Sequence, residues 1–98
     1  MLYMLIGFDV EGSLEARMAS RPAHVARLKA LQEEGRLVMA GPNPAIDSDQ
    51  PGDAGYSGSL IVASFDSLEE AQRWADADPY IEAGVYESVM IKPFVRAL

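Results

Sequence analysis

The sequence predicts one small α+β domain with strands and helices in the order βαββαβ. Three observations support this. Four runs, LYMLIGFDV, RLVMAGP, SLIVASF and VYESVMIKPF, have the length and residue types of strands. Two stretches between them show helical spacing of apolar residues, with start and stop signals. Gly, Pro and Asp punctuate the joints. The economical closure of that order is a four-stranded antiparallel sheet with both helices on one face, the ferredoxin-like arrangement.

Residues 2–10 are almost all apolar and read as a strand covered on both faces. The next ten, EGSLEARMAS, form a connector with a short helical tendency. The first helix is expected to open at Ser20 or Arg21, with Pro22 in the first turn, where a missing N–H costs nothing. Val25, Leu28 and Leu31 recur at helical spacing, and Gly35 stands at the stop position. Residues 36–42 make the second strand. Residues 43–58, NPAIDSDQPGDAGYSG, read as a long loop, and loops of that length are usually functional or disordered. Strand three spans 59–65. Helix two, 67–78, starts on the capping box Ser67-x-x-Glu70 and stops before Pro79. YIEAG turns the chain into the last strand, 85–94.

A chain of 98 residues is one domain, 1–98, with a thin core, and association is a plausible way to bury more surface. Strands one and three are apolar on both sides, so the sheet face away from the helices needs a cover. A second copy packed sheet to sheet, a homodimer, supplies one. The net charge of −7 offers no basic footprint for nucleic acid. MLYMLIGF is too short to span a membrane and has no basic residue ahead of it. There is no cysteine, hence no disulfide framework, no thiolate nucleophile and no cysteine-based zinc site, which fits a cytoplasmic protein. GDAGYSG is not a G-x-G-x-x-G motif and no helix follows it, so dinucleotide binding is rejected. One histidine without cysteines makes a transition-metal site improbable, and no nucleophile elbow is visible. No cofactor is expected.

The residues that attract chemistry are few. His24 is the only histidine, and it shares a helical face with Leu28 and Leu31, so it points toward the sheet. At a helix start, the dipole disfavours a positive charge there, which suits a proton acceptor. Its structural alternative is a core histidine bonded to backbone. Asp78 falls on the apolar face of helix two with Leu68, Ala71 and Ala75, where an acid opposes the helix dipole. The alternative is an Asp-Pro turn bonding its own backbone. Asp76 is offset and solvated. If both helices lie in one chain, His24 and Asp78 sit at opposite ends. They meet only if the chain after Pro79 folds back or if they pair across a dimer. Arg17 and Arg21 flank His24, placed to hold a carboxylate or enolate. Otherwise they are surface charges snorkelling over the helix start. Ser59, Tyr80 and Tyr56 are pocket candidates, with strand starting or packing as the alternative.

RPAH at the first helix, GP after strand two, GS opening strand three, DPY closing helix two and the terminal AGVYESVMIKPF together resemble the YciI-like (YCII-related) proteins across almost the whole chain. The resemblance implies a dimeric α+β barrel and a small cleft holding a histidine and an aspartate, which map onto His24 and Asp78. Most members have no established reaction. One relative is a dehydrochlorinase acting in the breakdown of a chlorinated aromatic, and the wider barrel superfamily includes an isomerase and small monooxygenases. The 43–58 loop departs from the more direct turn of many relatives. The expected function is a cofactor-independent lyase, isomerase or dehydrohalogenase. His24 and Asp78 would be catalytic, and Arg21, Ser59 and Tyr80 would bind a small-molecule substrate. The rival is a non-catalytic dimeric binding module.

Overall fold

Alternating burial opens the chain. In β1 (Leu2–Asp9), Tyr3, Leu5 and Gly7 are buried on one face, while Leu2, Met4 and Ile6 on the other keep partial exposure. The computed structural model describes all residues, 1–98. After β1 come α1 (Leu14–Glu33), β2 (Leu37–Pro44), a 3-10 turn (Gly52–Ala54), β3 (Tyr56–Ser64), α2 (Leu68–Asp76), α3 (Pro79–Glu82) and β4 (Tyr86–Phe94). The strands form one antiparallel sheet in the order β2-β3-β1-β4. This is the expected ferredoxin-like α+β fold, with a third, short helix.

Three stretches differ from expectation, each for a physical reason. The connector 11–20 is helical from Leu14 on, so α1 is one helix of 20 residues with Pro22 inside it. Leu, Glu, Ala, Arg and Met in LEARMA are strong helix formers. Pro22 removes only the bond to the Met18 carbonyl, and both residues lie on the exposed side, where water serves instead. At the other end, Gly35 has φ 72°, its N–H donates to Gln32 O (3.0 Å), and Arg36 N–H donates to Leu31 O (2.9 Å). This is the expected glycine stop.

The expected loop at 43–58 is shorter, because β2 runs on to Pro44 and β3 begins at Tyr56, with Asn43 opposite Gly58. Pro42 and Pro44 are tolerated because β2 is an edge strand, where an absent N–H breaks no ladder on the outer side. The remaining turn folds back on the domain: Ala45 N–H donates to Gly55 O (2.9 Å), and Pro51 and Gly55 are buried.

Helix two also divides. Ser67 Oγ accepts from Glu70 N–H at 3.1 Å, the N-cap half of the expected capping box, while the Glu70 carboxylate turns to Arg73 in place of Ser67 N–H. The helix ends at Asp76, however, and Pro79 opens α3 at its first turn. Tyr3, Leu5, Leu31, Ile61, Ala63, Phe65, Ala71 and Ala75 form the core between helices and sheet. A smaller cluster of Tyr80, Val85 and Tyr86 sits beside it. The far face of the sheet is apolar and open. Phe8, Met39, Met90 and Phe94 are exposed there, beside half-buried Met4, Ile6 and Leu60.

Candidate functional site

His24 is the eleventh residue of α1 and is buried. Because α1 starts at Leu14, His24 lies in mid-helix and not in the first turn, so the helix-start argument about its charge does not apply. Asp78 follows the end of α2 and caps α3, its Oδ1 accepting Tyr80 N–H at 2.9 Å. It therefore opposes no helix dipole; it stands at the N-terminal side of α3. Both carboxylate oxygens lie 2.9 Å from His24 Nδ1, within one chain. The opposite-ends difficulty disappears because His24 is half-way along a longer helix and Asp78 has left its own.

A carboxylate on Nδ1 demands a proton there, so Nδ1–H donates to Asp78 and the lone pair of the neutral ring resides on Nε2. Nε2 has no partner in the chain. The Tyr80 ring stacks on the imidazole, with centroids 4.0 Å apart and planes at 8°. Tyr86 meets both rings edge-on. It does so by lying over Gly7, where a Cβ would come within 2.5 Å of its ring carbons. The Tyr86 hydroxyl is buried and makes no hydrogen bond of ordinary length, with Ser59 as a weaker polar neighbour. Burial pushes its pKa well above the ordinary phenol value, with Ser59 and Arg17 opposing. Burial also raises Tyr80, again against Arg17.

Arg17, weighed with Arg21 as an anion holder or a surface charge and not carried into the expected binding set, is neither free nor at the surface. It is buried, and its Nε donates to Asp9 Oδ2 at 2.9 Å. Nη2 donates to Gly58 O (2.8 Å) and Ser59 Oγ (2.7 Å), with a longer bond to Asp9 Oδ1 (3.3 Å). Its guanidinium lies 4.8 Å from the Tyr80 ring centroid. Burial works against the charge, but Asp9 outweighs it and holds the arginine pKa above its usual value. Nη1 has no partner in the chain. Ser59, buried, uses a lone pair on Arg17 and keeps its own hydroxyl proton to give.

Arg27, one turn beyond His24, stacks on Trp74 at 4.3 Å and donates to Trp74 O at 2.8 Å. It ties α1 to the last turn of α2, just ahead of Asp78. Burial lowers its pKa, and Asp78 opposes that shift.

His24, Arg17, Arg21, Ser59, Tyr56 and Tyr80 line one end of a cavity of about 620 Å3 between α1 and the β2–β3 arm of the sheet. Arg21 is exposed and makes no ion pair. No three His, Asp or Glu side chains converge to hold a metal. No helix is long and apolar enough to cross a membrane.

Fold and site define a ferredoxin-like domain with a buried His–Asp pair at a helix–sheet cleft. The chain belongs to the family of the YCII-related domain, whose model matches residues 1–95. Protein YciI of Escherichia coli is 60% identical over 96 residues, 98% of each chain. An uncharacterized protein of Haemophilus influenzae is 52% identical over the same share. Among solved structures, the chain resembles 5-chloro-2-hydroxyhydroquinone dehydrochlorinase from Burkholderia phenoliruptrix in complex with 2,5-dihydroxybenzoquinone. That match has a TM-score of 0.85, covers 99% of this chain and 96% of that one, and is 23% identical. It is a likeness of fold.

Proposed function

We propose that the protein is a small cofactor-independent enzyme of the lyase, isomerase or dehydrohalogenase type, with His24 as general base. One observation carries this reading: Asp78 holds the proton on Nδ1 and leaves the Nε2 lone pair at the cavity. A substrate C–H or O–H proton moves to Nε2. Its electron pair forms the new double bond, and in an elimination the leaving group departs with its own pair. Asp78 then faces the imidazolium. Ser59 O–H and the free Arg17 N–H stabilise the oxygen on which charge develops, Arg21 attracts it, and Tyr80 fixes the imidazole plane. The dehydrochlorinase with the similar fold supports an elimination. The open apolar sheet face supports a homodimer, and the absence of cysteine is consistent with a cytoplasmic setting.

The test is a screen of halogenated hydroxyquinones and of ketones with a leaving group, run with the wild type and His24→Gln. Turnover should fall by about 10²- to 10⁴-fold in the variant while the fold persists by circular dichroism. Activity that survives His24→Gln overturns the mechanism. A binding module without catalysis predicts no turnover of any compound and a loss of about 1–3 kcal/mol of stability in the variant.

A further inference from the structure

We infer that the cavity takes an elongated amphiphilic anion: a reacting head at His24, an apolar body along α1, and an anionic end at Lys29. The placement of the head rests on the function proposed above, whereas the demand for a charged far end is separate from it. A volume of about 620 Å3 is far more than one substituted ring fills. It falls within the roughly 300–1,000 Å3 that encloses drug-sized ligands.

The lining is ordered along the helix. At 1.5 Å per residue, Lys29 lies about 7–8 Å and Gln32 about 12 Å beyond His24 along the α1 axis. β2 agrees with this direction: Pro42 stands opposite Ser59 at the reacting end, and Leu37 stands opposite Ala63 at the other. Between the two ends the walls are Val25, Leu28, Val38 and Ile61. The side chains of this middle stretch are all apolar, so the body of the ligand that packs on them is apolar.

Charge completes the picture. The chain has 15 acids and 8 Lys plus Arg. The cavity lining includes Arg17, Arg21 and Lys29 and no carboxylate at all. Lys29 and Arg21 have no ion-pair partner. In a protein this acidic, a lining that excludes every acid and keeps unpaired cations at both ends selects a negative ligand.

Isothermal titration at neutral pH with a series of 4-hydroxyphenylalkanoates tests the inference. The phenol serves as head, the carboxylate as tail, and the matching carboxamides serve as controls. Affinity should rise from the acetate to the butanoate, and the butanoate should bind about three- to fivefold tighter than its carboxamide. Lys29→Gln, an exposed substitution, should erase that preference and leave carboxamide affinity unchanged; His24→Gln should leave the preference in place. Equal binding of acid and amide overturns the inference. So does a preference that survives Lys29→Gln, or one removed by Arg21→Gln alone, or no binding of any member at millimolar concentration. Charge-selective binding without turnover of any substrate would instead reject the catalytic reading and leave this one standing.

Discussion

Asp78 and Tyr80 are locked by a hydrogen bond of 2.9 Å from the Tyr80 N–H to Asp78 Oδ1, and that same oxygen lies 2.9 Å from His24 Nδ1. The start of α3 therefore fixes the carboxylate before any ligand arrives. Tyr80 in turn stacks on the histidine, so one residue sets both the partner of the ring and its plane.

Asp78→Asn separates the two jobs of this carboxylate. An amide oxygen still caps α3, so stability should change by less than about 1 kcal/mol. The negative charge facing the imidazolium is gone, and turnover should fall by about 10²- to 10⁴-fold. Asp78→Ala should lose the same activity and about 1 kcal/mol more stability, because the cap goes too. Thermal melts and steady-state kinetics on the two variants check both halves.

Tyr86→Phe should stabilise the protein by up to about 1 kcal/mol near neutral pH, because it removes a buried hydroxyl that makes no hydrogen bond of ordinary length. Burial raises the pKa of Tyr86 and of Tyr80 in the folded state. The unfolded chain releases these protons from about pH 10 upward while the native chain keeps them. The stability present below about pH 10 is therefore lost as pH rises, since the native state binds more protons. Tyr86→Phe should flatten part of that alkaline loss. Urea titrations between neutral and alkaline pH report it, and destabilisation at neutral pH would show that the hydroxyl has a partner.

Phe8→Lys tests the open sheet face. Phe8 is 44% exposed in the single chain and lies on that face, opposite Ser88 and diagonal to Met90. Burying a whole Phe is worth about 1.5–3 kcal/mol, somewhat under half of that is left for Phe8 to gain, and a two-fold interface counts it twice. Dimer affinity should fall by at least about tenfold. Sedimentation equilibrium should show a dimer for the wild type and a concentration-dependent monomer for the variant. Unchanged association would place the interface elsewhere.

Most of the fold was legible because its signals are local: apolar runs, the glycine at 35 and the serine cap at 67 each report their own neighbourhood. The errors came where a tertiary fact outweighed a local one. Pro22 looked like a helix start because proline fits first turns, yet the exposed side of a long helix tolerates it as well. Turn-type residues at 42–44 looked like a loop because the edge position of β2 cannot be seen in one strand. His24 and Asp78 were visible as polar residues on apolar helical faces. Arg17 was noticed as a charge near His24, but its burial was hidden by the misplaced start of α1. It lies seven residues before His24, two turns along the same face, and only a continuous helix reveals the pair. The partner that keeps it buried, Asp9, is in another element altogether.

The prolines at the sheet margins have a colloidal consequence. Both outer strands carry them, Pro42 and Pro44 in β2 and Pro93 in β4. A strand interrupted in this way makes a poor template for a further strand from a neighbouring molecule. Growth by strand addition, the route to fibres, is discouraged at both borders. The proposed pairing, broad side to broad side, is untouched by these prolines and would close after two copies.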